Sequence, residues 1–126
     1  MTPNGLKAFF DQYNDGFVMG EHRIADFFAV PCLTARGGVV TLNASRAALV
    51  ANFAEVFQRY RDRGAVRGRI LSLDCFEAGL NSDIATVRWA YLDDAGDPLW
   101  ESMFTYNLYR FPDGTKIVLQ TQHDGV

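Results

Sequence analysis

The sequence has few of the residues from which metal and redox sites are built. It contains two cysteines, Cys32 and Cys75, and two histidines, His22 and His123. The cysteines do not have the CxxC spacing and no pair of histidines lies near them, so the sequence predicts neither a zinc site nor a redox motif. We therefore expect two small buried thiols, no metal and no cofactor.

An excess of positive charge and a long apolar run are also missing. The 15 acidic residues outnumber the 12 basic ones, which gives a net charge of -3. Five arginines cluster in one stretch that is typical of a solvated helix end: Arg59, Arg61, Arg63, Arg67 and Arg69. No apolar stretch approaches the roughly 18 residues that cross a bilayer, and the first residues lack a signal-peptide pattern. We expect no nucleic-acid partner, no membrane partner and a cytoplasmic location.

Apolar residues, by contrast, are abundant. Hydrophobic residues make up 48% and charged residues 21% of the 126 positions. These proportions are typical of a folded globular protein and differ from those of disordered chains. The length is close to the commonest domain size. Because the sequence shows no repeat, linker or low-complexity segment, we expect residues 1–126 to form a single domain.

The spacing of the large apolar residues predicts three helices. A helix over residues 6–18, with Asn4 as its cap, follows from one apolar face: Leu6, Phe9, Phe10, Tyr13 and Phe17. A short second helix is expected over residues 24–28, stopped by Pro31. The longest helix begins at a cap, Asn43 or Ser45, and ends near residues 63–64. Its apolar stripe consists of Leu49, Val50, Phe53, Val56, Phe57 and Tyr60.

The remaining segments are typical of β-strands. Residues 32–35 and 39–42 are β-prone runs on either side of a glycine pair, which predicts a hairpin. Four longer strands are expected over residues 66–77, 83–93, 98–111 and 115–123, separated by short turns. Such short connections predict an antiparallel meander that curves around the long helix. The predicted fold is α+β, with the element order α-α-β-β-α-β-β-β-β.

This order and three short motifs resemble the nuclear-transport-factor-like superfamily, in particular its SnoaL-like and ketosteroid-isomerase-like branches. The motifs are an aromatic helix running into Gly20-Glu21, an aromatic-then-proline step at residues 28–31, and an Asp-Gly-Thr-Lys-Ile sequence at residues 113–117. The resemblance implies a cystatin-like, cone-shaped barrel with a ligand cavity at its wide end, which often dimerises through its outer face. Members include isomerases, dehydratases, cyclases and non-catalytic binding modules, so the fold does not decide the function.

Strand register predicts which side chains share the inner face. A four-residue turn at 94–97 pairs Tyr91 with Trp100, Trp89 with Ser102 and Val87 with Phe104. A bulged loop at 112–114 pairs Tyr106 with Gln120, Phe104 with Gln122 and Ser102 with Asp124. The face so formed is aromatic with a polar end, and also includes Leu108 and Val118.

We predict that this face lines a pocket for a small hydrophobic molecule. The predicted ligand-binding residues are Tyr13, Trp89, Tyr91, Trp100, Ser102, Phe104, Tyr106, Gln120 and Gln122. An alternative is that the aromatic residues simply form the core. The opposite face is too apolar for solvent and too polar for a core, which favours a homodimer interface: Arg88, Glu101, Met103, Thr105, Asn107, Tyr109, Leu119, Thr121 and His123. Arg88 and Glu101 are expected to form an ion pair there.

Catalytic groups are few. A ketosteroid-isomerase-like reaction needs a carboxylate base near the first strand, and residues 31–42 contain no Asp or Glu. Asp124 and Tyr13 are the acid-base candidates, with His22 as a further proton-transfer group. Three functions stay open: a small-molecule-binding domain, which we favour; an isomerase, dehydratase or cyclase acting on a hydrophobic cyclic substrate; and a structural dimerisation module.

Overall fold

A computed structural model describes residues 3–125. Over this range the chain forms three helices: α1 (Pro3–Met19), α2 (Glu21–Ala25) and α3 (Arg46–Asp62). It also forms six strands: β1 (Phe28–Arg36), β2 (Val39–Asn43), β3 (Arg67–Glu77), β4 (Ser82–Leu92), β5 (Pro98–Phe111) and β6 (Gly114–Gln122). The predicted α+β class and element order are confirmed. No helix in the described range is long and apolar enough to cross a membrane.

The strands form one mixed sheet in the order β2-β1-β6-β5-β4-β3. The four strands of the second half are a continuous antiparallel meander, as predicted. The β1–β2 hairpin joins this meander through a parallel pairing of β1 with β6. At the hairpin turn, Gly37 and Gly38 have φ values of 56° and 78°, the left-handed conformation that two-residue hairpin turns require.

The second helix ends earlier than predicted. It stops at Ala25, and Phe28 already pairs with Ile117 in β6. Pro31 therefore lies inside β1 and does not terminate a helix. The pairing of β1 with β6 is irregular between Phe28 and Leu33, which fits a residue that has no N–H to donate. The cap predicted at Asn4 concerns a side chain outside the described residues.

The long helix begins at Ser45, whose hydroxyl accepts a hydrogen bond from the Ala48 N–H at 3.1 Å. Asn43, the other predicted cap, is instead the buried last residue of β2. The predicted apolar stripe faces the core along the length of α3. Its members Leu49, Phe53, Val56 and Phe57 are buried, and Val50 and Tyr60 are partly buried.

The register of the meander is confirmed over most of its length. Tyr91 pairs with Trp100 and Tyr106 with Gln120, as predicted. An irregularity between Asn107 and Leu108 makes Val118 an extra residue on β6. Ile117, rather than Val118, is consequently the buried side chain at this point, because a bulge exchanges the faces of the residues on either side of it.

The core is an aromatic cluster between the helices and the inner face of the sheet. Phe10 on α1 contacts Tyr106 at a ring-centroid distance of 4.9 Å, and Phe28 contacts Phe53 at the same distance. Aromatic pairs at such distances each stabilise the fold by roughly 0.5–1.5 kcal/mol beyond their area burial. The cysteine prediction is met in part, since Cys32 is buried and Cys75 is partly exposed.

Candidate functional site

A small cavity lies inside the aromatic cluster. It lies between α1, α3 and the inner face of the sheet, and its volume is about 40 Å³. This is room for a few water molecules. Six of the nine residues predicted to bind a ligand line it: Tyr13, Trp89, Tyr91, Phe104, Tyr106 and Gln120.

The other three predicted ligand-binding residues lie outside this lining. Ser102 is buried behind Tyr91 and their hydroxyl oxygens are 2.7 Å apart. Trp100 stacks on Tyr91 at 4.8 Å, and the Arg63 guanidinium lies 3.8 Å above the centre of its ring. Gln122 is partly exposed at the end of β6. Ser102 and Trp100 therefore support Tyr91 from behind without facing the cavity.

The structure does not bring the two predicted catalytic residues together. β6 ends at Gln122, so the predicted pairing of Ser102 with Asp124 does not form. Asp124 is exposed, and its carboxylate accepts a hydrogen bond from the Gly37 N–H at 3.0 Å. Tyr13 is buried in the cavity wall. The acid-base pair predicted for these residues receives no support from this geometry.

The histidines and the predicted ion pair lie away from the cavity. His22 is exposed on α2. His123 follows β6, and its Nε2 atom is 2.7 Å from the Thr105 hydroxyl oxygen. Arg88 and Glu101 form the predicted ion pair, with an N to O distance of 3.5 Å. Both side chains of this pair are partly exposed, so its contribution to stability is small.

Hydrogen bonds hold the phenol groups of the cavity in place. Gln120 Nε2 donates to the Tyr13 hydroxyl at 3.3 Å, and Trp89 Nε1 donates to the Tyr106 hydroxyl at 3.1 Å. Burial raises the pKa of three tyrosines well above the ordinary value: Tyr13, Tyr91 and Tyr106. These phenols are therefore neutral at physiological pH, where they can donate a hydrogen bond but cannot act as bases.

Arg36 brings a positive charge to the cavity wall. It is the last residue of β1, and its Nη2 donates to the Asn52 Oδ1 on α3 at 2.8 Å. Asn52 is fixed in turn because its Nδ2 donates to the Thr34 Oγ1 and the Asn43 Oδ1, each at 3.1 Å. Burial lowers the pKa of Arg36, yet a guanidinium stays charged at neutral pH. Among the ion pairs of the described residues, none includes Arg36.

Asn14 adds an unpaired oxygen. Its Oδ1 is buried and has no hydrogen-bond partner in the structure. The residue lies on α1, between the cavity and a surface groove that Lys7 and Arg69 also line. A Cβ at Gly68 would stand 3.0 Å from this oxygen, so glycine leaves the space beside the amide open. A buried polar atom without a partner costs about 1–3 kcal/mol, which a bound donor would remove.

Sequence reasoning missed three polar lining residues: Asn14, Arg36 and Tyr60. Tyr60 was assigned to the apolar stripe of α3, and Asn14 follows Tyr13 on a helix whose apolar face alone was considered. Arg36 precedes the glycine pair, where the sequence pattern predicts a turn. An available signal was alternation along β1, since buried Cys32 and Thr34 place Arg36 on the same face.

The lining combines aromatic walls, neutral hydroxyl donors, an amide oxygen and a guanidinium. Within residues 3–125 it includes no carboxylate and no imidazole, and no group of three or more His, Cys, Asp or Glu stands ready to hold a metal. The arrangement is therefore suited to recognising a flat, largely apolar molecule with a few polar atoms.

Comparison with known proteins places the chain in a family and a fold. A family model described as NTF2-like protein (DUF6841) matches residues 4–125. No curated protein matches the sequence. Among solved structures, Aln2 from a Streptomyces species has a TM-score of 0.77 at 14% identity, covering 98% of this chain and 92% of that one.

Two further solved structures resemble this chain with similar TM-scores and sequence identities. An NTF2-like protein with a cystatin-like fold from Novosphingobium aromaticivorans has a TM-score of 0.73 at 15% identity, over 96% of this chain and 81% of that one. A candidate ketosteroid isomerase from Shewanella frigidimarina has a TM-score of 0.70 at 17% identity, over 92% of both chains. At these identities the likeness shows the fold alone.

Proposed function

The chain belongs to the NTF2-like family, as its resemblance to the nuclear-transport-factor-like superfamily predicted, and on that premise we propose that it is a binding domain for a small hydrophobic molecule. The proposed site is the aromatic cavity between α1, α3 and the sheet. Its small volume means that a ligand larger than a few waters enters only if a lining side chain moves.

The observation that carries this proposal is that the phenol groups of the cavity are held in fixed orientations and are neutral. The phenols of Tyr13 and Tyr106 are fixed by Gln120 and Trp89. Fixed donors in an apolar cavity set the orientation of a ligand without loss of side-chain entropy at binding. A core that served stability alone would gain little from an arginine and an unpaired amide oxygen in the lining of one cavity.

An isomerase, dehydratase or cyclase is the second candidate, and Tyr13 is the residue that favours it. A neutral phenol held in an apolar wall is suited to polarising a carbonyl oxygen. Proton abstraction from a hydrophobic cyclic substrate also needs a base. Since the described lining has no carboxylate or imidazole, this reaction would depend on a base from the substrate or solvent, and we therefore rank binding above catalysis.

Filling the cavity tests the proposal. Val56 on α3 is buried and lines the cavity, whereas Ala51 on the same helix is exposed. We expect native mass spectrometry to detect a bound small molecule in wild-type protein purified from cells that naturally make it. Val56→Phe should lose this molecule, and Ala51→Phe should retain it. Overpacking costs about 1–3 kcal/mol, so thermal unfolding of both variants checks that they fold. Equal retention by a folded Val56→Phe variant would contradict a ligand at this position.

We also propose that the protein forms a homodimer through the outer face of its sheet. Leu33 on β1 pairs with Leu42 on β2 and with Leu119 on β6, so three leucines stand side by side on that face. Leu42 is 63% exposed, and contiguous exposed apolar residues are typical of interfaces.

Sedimentation equilibrium measures the assembly directly. Leu42→Glu should convert a dimer to a monomer because the charge would be buried unpaired at the interface. Leu80→Glu is the matched control, since Leu80 lies in a turn and is 91% exposed. A wild-type protein that sediments as a monomer, or a Leu42→Glu variant that stays dimeric, would refute an interface at these leucines.

A further inference from the structure

The charged and polar groups of the cavity wall indicate what kind of molecule it accepts, an inference that rests on the proposed binding function. Arg36 is a half-buried cation that lines an aromatic cavity. A guanidinium removed from water is costly unless an anion or several hydrogen-bond acceptors face it. Its one protein acceptor in the described structure is the amide oxygen of Asn52.

Two carboxylates, those of Asp124 and Glu55, belong to the segments next to Arg36, and neither forms an ion pair with it in the described structure. Asp124 approaches the hairpin turn, but its Oδ1 is bonded to the Gly37 N–H. Glu55 lies three residues beyond Asn52 on the exposed side of α3, and among the described residues it forms no ion pair with Arg36. The guanidinium therefore has donors left over, and the aromatic wall beside it offers them no strong acceptor.

Asn52 explains why this arginine is held toward the cavity. The amide is tied to Thr34 and Asn43, both buried, and presents its oxygen to the guanidinium. A long, flexible side chain loses considerable rotamer freedom in such an arrangement. The fixed position prepares the remaining N–H groups for a planar, two-oxygen acceptor, which is the geometry that arginine binds best.

We propose that the ligand of this cavity is an aromatic or alicyclic carboxylic acid whose carboxylate pairs with Arg36, and that a hydroxyl of the same molecule donates to Asn14 Oδ1. The ring lies against the aromatic wall formed by Trp89 and the tyrosines, in space that a lining side chain vacates, since the cavity by itself holds only a few waters. A carboxylate suits the site better than a phosphate because it is planar and smaller, and the cavity is small. The hydroxyl supplies the donor that the buried Asn14 oxygen lacks.

A set of one-ring probes tests each part separately. The probes are 4-hydroxybenzoate, its methyl ester, which removes the charge, benzoate, which removes the hydroxyl, and phenyl phosphate. Binding is followed by isothermal titration calorimetry and by tryptophan fluorescence, because Trp89 lines the cavity. For the wild-type protein, we expect 4-hydroxybenzoate to bind about tenfold to a hundredfold more tightly than its methyl ester, as for other hydrogen bonds to a charged group.

Variants assign this preference to the two residues. Arg36→Gln should abolish the preference for the acid over the ester, and Arg36→Lys should keep part of it, because the charge remains but the two-pronged geometry is lost. Arg61→Gln on the exposed side of α3 is the matched control and should bind all probes as the wild type does. Asn14→Leu should remove the preference for 4-hydroxybenzoate over benzoate, about tenfold in the wild type.

The outcomes separate this inference from the function on which it rests. If the ester binds as tightly as the acid, or if Arg36→Gln keeps the preference, the anion site is refuted while a hydrophobic binding function stands. If phenyl phosphate binds more tightly than 4-hydroxybenzoate, the carboxylate is refuted and the ligand of Arg36 is a phosphate. Absence of binding by every probe at millimolar concentration would refute both. If Arg36→Gln fails to fold, the affinities of the acid and the ester for the wild-type protein and for Arg36→Lys still test the anion site.

Discussion

The amide of Asn52 joins the hairpin of β1 and β2 to α3, and its removal should be costly. It makes three hydrogen bonds, to Arg36, Thr34 and Asn43, with distances of 2.8, 3.1 and 3.1 Å. Asn43 is 1% exposed, so water cannot take over its lost bond in Asn52→Ala. With about 1 kcal/mol for each bond, we expect the free energy of unfolding to fall by about 3 kcal/mol.

Urea unfolding followed by tryptophan fluorescence measures this loss. A chain of this size has a urea slope of roughly 1–3 kcal/mol/M, so the midpoint should fall by about 2 M. Asn81→Ala is the control, because Asn81 lies exposed in a turn between β3 and β4. Combining Asn52→Ala with Arg36→Gln should cost less than the sum of the two single changes, since both remove the same hydrogen bond. A loss below about 1 kcal/mol for Asn52→Ala would refute the view that this amide holds the hairpin to α3.

Three further predictions concern the sheet, the hairpin turn and the buried phenols. Arg110→Ala breaks an ion pair with Asp83, which is 1% exposed, and calorimetry should show a loss of about 3 kcal/mol; an unchanged Tm would exclude a structural role for the pair. Gly38→Val should cost about 1–2 kcal/mol in urea unfolding because φ is 78° there, whereas Val39→Thr at an exposed strand position should cost little. Burial raises the pKa of three phenols in the folded protein above their value in the unfolded chain: Tyr13, Tyr91 and Tyr106. The free energy of unfolding should therefore be at its full value below about pH 10 and fall as the pH rises above it. The chain has five tyrosines, and the tyrosinate absorbance of these three should therefore grow only together with unfolding. Titration of all five tyrosines in the folded protein would contradict the prediction.

Local sequence was sufficient for most of the secondary structure. The apolar stripe of α3 and the glycine pair at the hairpin depend on residues close together in the chain, so spacing alone reveals them. The second helix was predicted too far along because its end depends on a distant strand. Phe28 pairs with Ile117, and no local pattern indicates that parallel pairing.

On the inner face of the sheet, too, the sequence predicted some of the pairings and missed others. Alternation and turn length correctly predicted that Tyr91 pairs with Trp100 and Trp89 with Ser102 across the meander. The bulge at Val118 could not be located from sequence, because an extra residue fits several positions of a strand without changing its composition. Asp124 was placed on the inner face by extending a regular register past the point where β6 ends.

By itself, the sequence determined the first and third helices, the hairpin, the meander and the aromatic character of its inner face, since these follow from contacts within a few residues or across short turns. Tertiary structure alone decided which polar groups meet inside. Asn14, Arg36 and Asn52 come from α1, β1 and α3, and each is inconspicuous where it stands in the chain. Asn14 and Arg36 line the cavity, and Asn52 holds Arg36. These positions depend on how α1, the hairpin and the long helix pack together, a long-range arrangement that leaves no periodic signal in the sequence.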